Sequence, residues 1–286
     1  MNQVLKWTGL GAAVLAGLAL LAAAFAWLYS ESVIARHYPL LSIDVPAIHT
    51  PETIARGLHL AKLTGCFGCH GDRLRGRLLA PIPGFEIHSA NLTASIKMLG
   101  DAQFARALRD GLKPDGTSLW VMPSEDYVYM SNADIAAIVS YVRSLPASGQ
   151  PAAAPKFGYR ARIAILTGDL ESSATRIDED SDDDVASLDL GPRYEGGRYL
   201  ARVSCAQCHA LDLNGTPDGR VPSLTIISHY SLRDFFDLMR RGWGRDGREL
   251  PAMGALAKPR FSDFKDYEVM ALYDYLSARA AALPHE

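Results

Sequence analysis

The chain begins with its longest apolar stretch. Residues 7–30 (WTGLGAAVLAGLALLAAAFAWLYS) contain no charge. As a helix, these 24 residues would span about 36 Å, enough to cross a hydrocarbon core of roughly 30 Å. Trp7, Trp27 and Tyr29 lie near its ends, where interfacial anchors sit. The small residues of Ala22-Ala23-Ala24-Phe25-Ala26 would also suit a cleaved signal peptide. The run is too long for an ordinary signal core, so a retained anchor over residues 1–30 is expected, followed by a stalk over residues 31–50. Gly9, Ala13 and Gly17 recur every four residues, which suits either a packing face for a partner helix or a face that meets only lipid. Beyond the stalk the pattern becomes amphipathic at helical spacing. Residues 134–145 and 266–279 each predict a helix, and Pro146 and Pro284 lie beyond their ends. No strand alternation is sustained, so the expected fold is all-α.

The helical pattern occurs twice. Gly57-Leu58-His59-Leu60-Ala61 and Gly197-Arg198-Tyr199-Leu200-Ala201 read as equivalent helices, with Gly permitting close approach of a neighbour. Phe104-Ala105-Arg106-Ala107-Leu108 and Phe235-Phe236-Asp237-Leu238-Met239 share apolar spacing. Gly111, Asp115, Gly116, Leu119 and Met122 recur 131 residues later as Gly242, Asp246, Gly247, Leu250 and Met253, without a gap. The late helices carry matching Tyr141-Val142 and Tyr275-Leu276 steps. The repeat predicts two small domains, residues 51–147 and 194–286, joined by a linker over residues 148–193.

Charge adds one feature to this picture. The net charge is −3, which gives no basic patch for nucleic acid. Residues 151–193 hold five Lys/Arg against nine Asp/Glu, a balance of −4. Residues 51–150 carry +1 and residues 194–286 carry zero. The acidity centres on Asp178-Glu179-Asp180-Ser181-Asp182-Asp183-Asp184. A solvated loop is the first reading, and steering of a basic partner is the second. A calcium loop is disfavoured, because Asp183 stands where an EF-hand needs Gly. Pro146 to Pro155 is rich in Pro and Ala and reads as extended, and part of the long linker is expected to pack between the domains.

All four cysteines fall in two copies of one motif, Cys66-Phe67-Gly68-Cys69-His70 and Cys205-Ala206-Gln207-Cys208-His209. Cys-x-x-Cys-His is the pattern of covalent c-type haem attachment, in which two thiols bond the haem and the adjacent His is the proximal iron ligand. A zinc site or a thioredoxin-like pair would not explain a His directly after the second Cys, twice. Two covalently attached haem c groups are therefore expected. Haem attachment of this kind takes place outside the cytoplasmic membrane, which puts the domains on the periplasmic side of a bacterial inner membrane.

The repeat also nominates the distal ligands. Of seven methionines, only Met122 and Met253 occupy the same repeat position, both in Gly/Pro-containing loops. They are the expected partners of His70 and His209. Met98, Met130, Met239 and Met270 have no counterpart and read as packing residues. His88 and His229 follow the proximal histidines by 18 and 20 residues, but they are not equivalent once Asn91-Leu92-Thr93 is aligned with Ser223-Leu224-Thr225. His37, His49, His59 and His285 lie outside these frames. Pro222-Ser223-Leu224 resembles the step whose carbonyl accepts the proximal His N–H in cytochromes c, and Ala90-Asn91-Leu92 stands at that place in the first unit. Arg75, Arg77, Trp120, Arg241 and Trp243 are candidates to meet haem propionates, which spacing does not assign.

Together, Asn91 to Thr93, Gly111 through Met122-Pro123, residues 134–146, Pro222 to Thr225 and Gly242 through Met253-Gly254 resemble the cytochrome c subunits of bacterial membrane-bound dehydrogenases, such as the alcohol and gluconate dehydrogenases. The resemblance implies a non-catalytic subunit of a larger membrane complex. Electrons would pass from a periplasmic dehydrogenase toward quinone, a soluble cytochrome c or a terminal oxidase. Those subunits typically carry three haem motifs and a C-terminal membrane segment, whereas this chain shows two motifs and an N-terminal anchor. A dihaem peroxidase-like enzyme with an open haem, or a haem-based sensor or assembly subunit, are the alternatives.

Overall fold

The computed structural model describes residues 2–41, 45–79, 85–181 and 188–283. It is mostly helical. In chain order the helices are α1 (Asn2–Ile34), α2 (Pro51–Leu63), α3 (Cys66–His70), α4 (Leu92–Met98), α5 (Asp101–Arg109), α6 (Asn132–Ser144), α7 (Tyr159–Thr167) and α8 (Ser173–Ser181). They are followed by α9 (Glu195–Ser204), α10 (Ala206–His209), α11 (Leu232–Arg241), α12 (Pro251–Ala257) and α13 (Asp266–Ala282). One small antiparallel pair, β1 (Phe85–Glu86) and β2 (Lys156–Phe157), departs from the all-α expectation. It is tied by side chains: Phe85 packs on Phe157 at 5.1 Å between ring centroids, and Trp120 meets Phe157 edge-on at 4.8 Å.

Helix α1 is long and apolar enough over Lys6–Ile34, at mean hydropathy 2.2, to cross a membrane. Its C-terminal end is fastened to the body by Arg162 on α7. The Arg162 guanidinium lies 3.6 Å over the Trp27 ring, donates to Ser30 Oγ at 2.9 Å and pairs with Glu31 at 2.8 Å.

Two large hydrophobic cores and a smaller cluster of Phe85, Trp120, Ala161 and Ile165 are found among the described residues. In the first, α2 packs along α6 so closely that a Cβ on Gly57 would overlap the Ala137 carbonyl. In the second, α9 packs along α13, and a Cβ on Gly197 would overlap the Ala271 carbonyl. Tyr141 and Tyr275 cover these two glycines. The cores also exchange residues. Leu63, six positions after Gly57, is 1% exposed and lies in the second core. Val203, six positions after Gly197, is 4% exposed and lies in the first.

The polar seam obeys the same reciprocity. His59 bonds Glu268, the third residue of α13, at 2.9 Å, and Tyr199 donates to Asp134, the third residue of α6, at 2.5 Å. Lys62 pairs with Asp263 at 3.0 Å, while Arg202 stacks on Tyr129 at 4.4 Å. Each of these contacts in one direction thus has a counterpart in the other, as in an isologous dimer.

The segment expected as stalk packs on the first core. Val45 is buried in it, Ile48 N–H donates to Ser140 Oγ at 2.8 Å, and Tyr38 N–H donates to the Gly116 carbonyl at 2.9 Å. Helix α7 packs on α1, and α8 packs on the 3-10 turn Ser124–Tyr127. The described linker thus touches both units: α7 lies on α1, α8 on the first unit, and Leu188 and Leu190 meet Tyr275 and the second core. Ala161 and Ile165 of α7 are buried in the small cluster with Phe85 and Trp120, against Val33 and Ile34 of α1. Asp182 to Asp184, the side chains of Asp178 to Ser181, Pro284 and His285 lie outside what is described.

Candidate haem-attachment sites

Each Cys-x-x-Cys-His motif forms a single helical turn at the end of a longer helix. In the first, Thr64 caps α2 by donating its hydroxyl to the Leu60 carbonyl at 2.9 Å, and Gly65 (φ 79°) reverses the chain into α3. In the second, α9 passes through Cys205 directly into α10.

The loop after each motif turns back on it. Leu74 and Leu213 adopt left-handed φ of 53° and 61°, and Gly76 and Gly215 follow at 75° and 81°. A left-handed non-Gly residue costs about 1–2 kcal/mol, so both loops hold the same strained conformation against a local preference. Gly76 N–H donates to the His70 carbonyl and Gly215 N–H to the His209 carbonyl, both at 2.9 Å. A Cβ on Gly76 would collide with the Ser89 and Ala90 carbonyls, and one on Gly215 with those of Val221 and Pro222. Glycine is what lets the loop close.

Closure delivers the carbonyls to the imidazoles. His70 Nδ1 donates to the Ala90 carbonyl at 2.8 Å, and His209 Nδ1 donates to the Pro222 carbonyl at 2.9 Å. A carbonyl only accepts, so the proton is fixed on Nδ1 and the Nε2 lone pair is left for a metal. Burial lowers the pKa of both histidines against the opposing pull of these hydrogen bonds, which favours the neutral, ligating form. Burial also pushes the Cys66 thiol up, and raises Cys205 to about 11. Cys69 and Cys208 are exposed, and all four thiols are free. Among the described residues, no group of three or more His, Cys, Asp or Glu is placed to hold a metal ion.

Cys205, Cys208, His209 and Met253 line one cleft of about 840 Å³, counting its open mouth. Leu224, Ile227, Phe235, Leu238, Leu250 and Leu276 make its lining overwhelmingly apolar. Two thiols, an Nε2-free imidazole, a thioether and an apolar slot suit a haem attached at Cys205 and Cys208.

The first site has the same backbone frame. Its Cys66 and His70 are each 7% exposed. Met122 packs against the core that holds Cys66. The 131-residue offset is a backbone hairpin in both copies. Gly111 and Gly242 have φ of 64° and 75°, and their carbonyls accept from Leu119 and Leu250 N–H at 2.6 and 2.8 Å.

The two methionines differ in setting. Met122 lies in an irregular segment, as expected, whereas Met253 lies inside α12. Pro251 at the first helical turn and the Ala-rich sequence after it favour that helix over a loop. The Met122 carbonyl is held by Ser173 Oγ at 2.7 Å and Arg176 Nη2 at 3.0 Å. The repeat did not reveal this bracing, because it comes from α8.

Met239 also lines the second cleft. It is 2% exposed and stands 131 positions after Leu108, itself 6% exposed, so it fills the place of a core leucine. Met130 is likewise buried, 134 positions before the buried Phe264. His88 pairs by backbone with Leu78, and His229 is exposed. Of the propionate candidates, Trp120 is buried on Phe157, Arg241 stacks on Trp243 at 5.1 Å, and Arg77 donates to the Gly68 carbonyl.

These features are similar to those of c-type cytochrome sites. No protein-family model matches the chain. It is similar to the fructose dehydrogenase cytochrome subunit of Gluconobacter japonicus, at 26% identity over 271 residues, covering 81% of this chain and 53% of that protein. It is similar to the cytochrome c subunit of the quinone alcohol dehydrogenase of Gluconacetobacter polyoxogenes, at 26% identity, covering 82% and 57%. The corresponding subunit of Gluconobacter oxydans is 29% identical over 115 residues, 36% of this chain. The chain thus spans a little over half the length of the first two relatives.

Proposed function

We propose that the chain is a dihaem c-type cytochrome that relays electrons in a bacterial respiratory chain, as the non-catalytic cytochrome subunit of a membrane-bound dehydrogenase complex. Residues 51–147 and 194–286 are the two cytochrome c-like domains. Cys66 and Cys69 attach one haem, with His70 and Met122 as its axial ligands. Cys205 and Cys208 attach the other, with His209 and Met253. Helix α1 is a single-pass anchor that leaves both domains on the periplasmic side.

The observation that carries this reading is the paired imidazole geometry. Two histidines, each next to a Cys-x-x-Cys pair, are locked by a backbone carbonyl in the tautomer that offers Nε2 to iron. When bound, haem supplies reversible one-electron chemistry. The protein's part is to present a neutral imidazole and a soft thioether, a pairing that raises potential, and to exclude water with an apolar wall. The dehydrogenase partnership rests on the relatives' names and on α1. It implies a dehydrogenase as donor and quinone, a soluble cytochrome c or a terminal oxidase as acceptor.

The test is production with cytochrome c maturation and assay of haem that survives denaturing electrophoresis. The intact chain should carry two haems. Cys66→Ser with Cys69→Ser should leave one, and so should Cys205→Ser with Cys208→Ser. A wild-type stoichiometry of one, or no covalent haem, contradicts the proposal.

A further inference from the structure

Arg260 lies between α12 and the 3-10 turn Phe261–Asp263 and reaches both the end of α2, just before the first attachment motif, and the interior of the second motif. Its Nε and Nη2 donate to the Leu63 carbonyl at 3.1 and 3.0 Å, at the end of α2, three residues before Cys66. Its Nη1 donates to Gln207 Oε1 at 2.9 Å, and Gln207 lies between Cys205 and Cys208. The guanidinium covers Gly65, where a Cβ would stand 3.0 Å from its central carbon. The same side chain lines the cleft that holds Cys205, Cys208, His209 and Met253.

These contacts are unlike the rest of the seam. Lys62–Asp263 is an ion pair that neutralises its own charge, and His59 hydrogen-bonds a carboxylate, Glu268. The acceptors that hold Arg260 are a carbonyl and an amide, both neutral. Its charge lies beside both motifs, since the guanidinium covers Gly65 just before Cys66 and bonds Gln207 between Cys205 and Cys208. The repeat offers no twin, because the equivalent position 134 residues earlier is Asp126.

We propose that Arg260 is a shared positioning residue that locks the two attachment motifs together and places one positive charge between the two haem sites, so that both are easier to reduce. This rests on the dihaem reading above. A cation near two iron centres favours the lower-charge ferrous state of each, and more so where burial limits screening. Planar guanidinium geometry allows one residue to donate to two motifs in different directions.

The test is a spectroelectrochemical titration of the intact anchored chain, after haem stoichiometry has been measured. A wild-type content other than two haems rejects the dihaem reading itself. With two haems present, Arg260→Gln and Arg260→Met are each expected to shift both midpoint potentials downward. Arg260→Lys should restore both toward wild type, and the paired change Lys62→Gln with Asp263→Asn, which leaves the net charge unaltered, should leave both near wild type. A shift in one potential only, or in neither, overturns the proposal. If the neutral variants do not mature, Arg260→Lys must still mature with both potentials near wild type. A Lys variant that also fails overturns the role assigned to the charge.

Discussion

Gly215 shows how a single position governs a site. Its φ of 81° lies in the left-handed region, and a side chain there would run into the Val221 and Pro222 carbonyls. The Pro222 carbonyl is the one that fixes the His209 tautomer. Gly215→Ala should therefore cost stability by roughly 1–3 kcal/mol, measured by denaturant unfolding, and should disturb His209 specifically. At this scale much was legible. The motifs gave the thiols and the histidines, and the Pro222-Ser223-Leu224 step gave the carbonyl. The Ala90 carbonyl was also found, because a backbone acceptor does not depend on its side chain. The left-handed loops were not foreseen, since Leu74 and Leu213 are ordinary leucines whose φ is imposed by closure of the loop.

Among the elements, α8 has the clearest functional consequence. Ser173 and Arg176 hold the Met122 carbonyl, and Arg176 also pairs with Glu125 at 2.6 Å. Among the described residues no side chain braces the Met253 carbonyl in this way; its own helix positions it, and its neighbour Gly254 packs under Gly242. Arg176→Ala should loosen the Met122 segment at a cost of about 1–3 kcal/mol for a lost charge-assisted bond. It should also lower the potential of the first haem while leaving the second unchanged. A redox titration that moved both potentials, or only the second, would count against the assigned pairing of His70 with Met122. The amphipathic helices α6 and α13 were readable from their 3.6-residue period and from the prolines beyond them. The role of α8 was not, because its contacts with Met122 span 51 and 54 residues of sequence and carry no local pattern.

For the molecule as a whole, the repeat is also the interface. Leu63 and Val203 cross between cores at matching positions, and the seam pairs matching residues. The sequence displayed the repeat but not this reciprocity, since nothing in a one-dimensional pattern says which copy a leucine will bury against. The seam also gives a pH dependence. Burial alone would raise the Glu268 carboxyl, but the His59 hydrogen bond and the Lys265 N–H bring it below its ordinary value. A carboxyl with a depressed folded pKa contributes stability that is complete above the ordinary glutamate value of about 4.3. That contribution is lost as pH falls through the folded value. Thermal unfolding should therefore show a stability loss below about pH 4.3 that Glu268→Gln reduces. An unchanged acid dependence in that variant would remove Glu268 from the account.

The central claim is that both haems are closed by His and Met and so relay electrons without transforming a substrate. The most direct measurement is the electron paramagnetic resonance spectrum of the oxidised, intact protein, with Met122→Ala and Met253→Ala alongside. The account predicts only low-spin ferric signals in the wild type, and one high-spin centre in each variant. A high-spin ferric signal in the wild type would contradict it and point to an open iron, as in a peroxidase or a gas sensor.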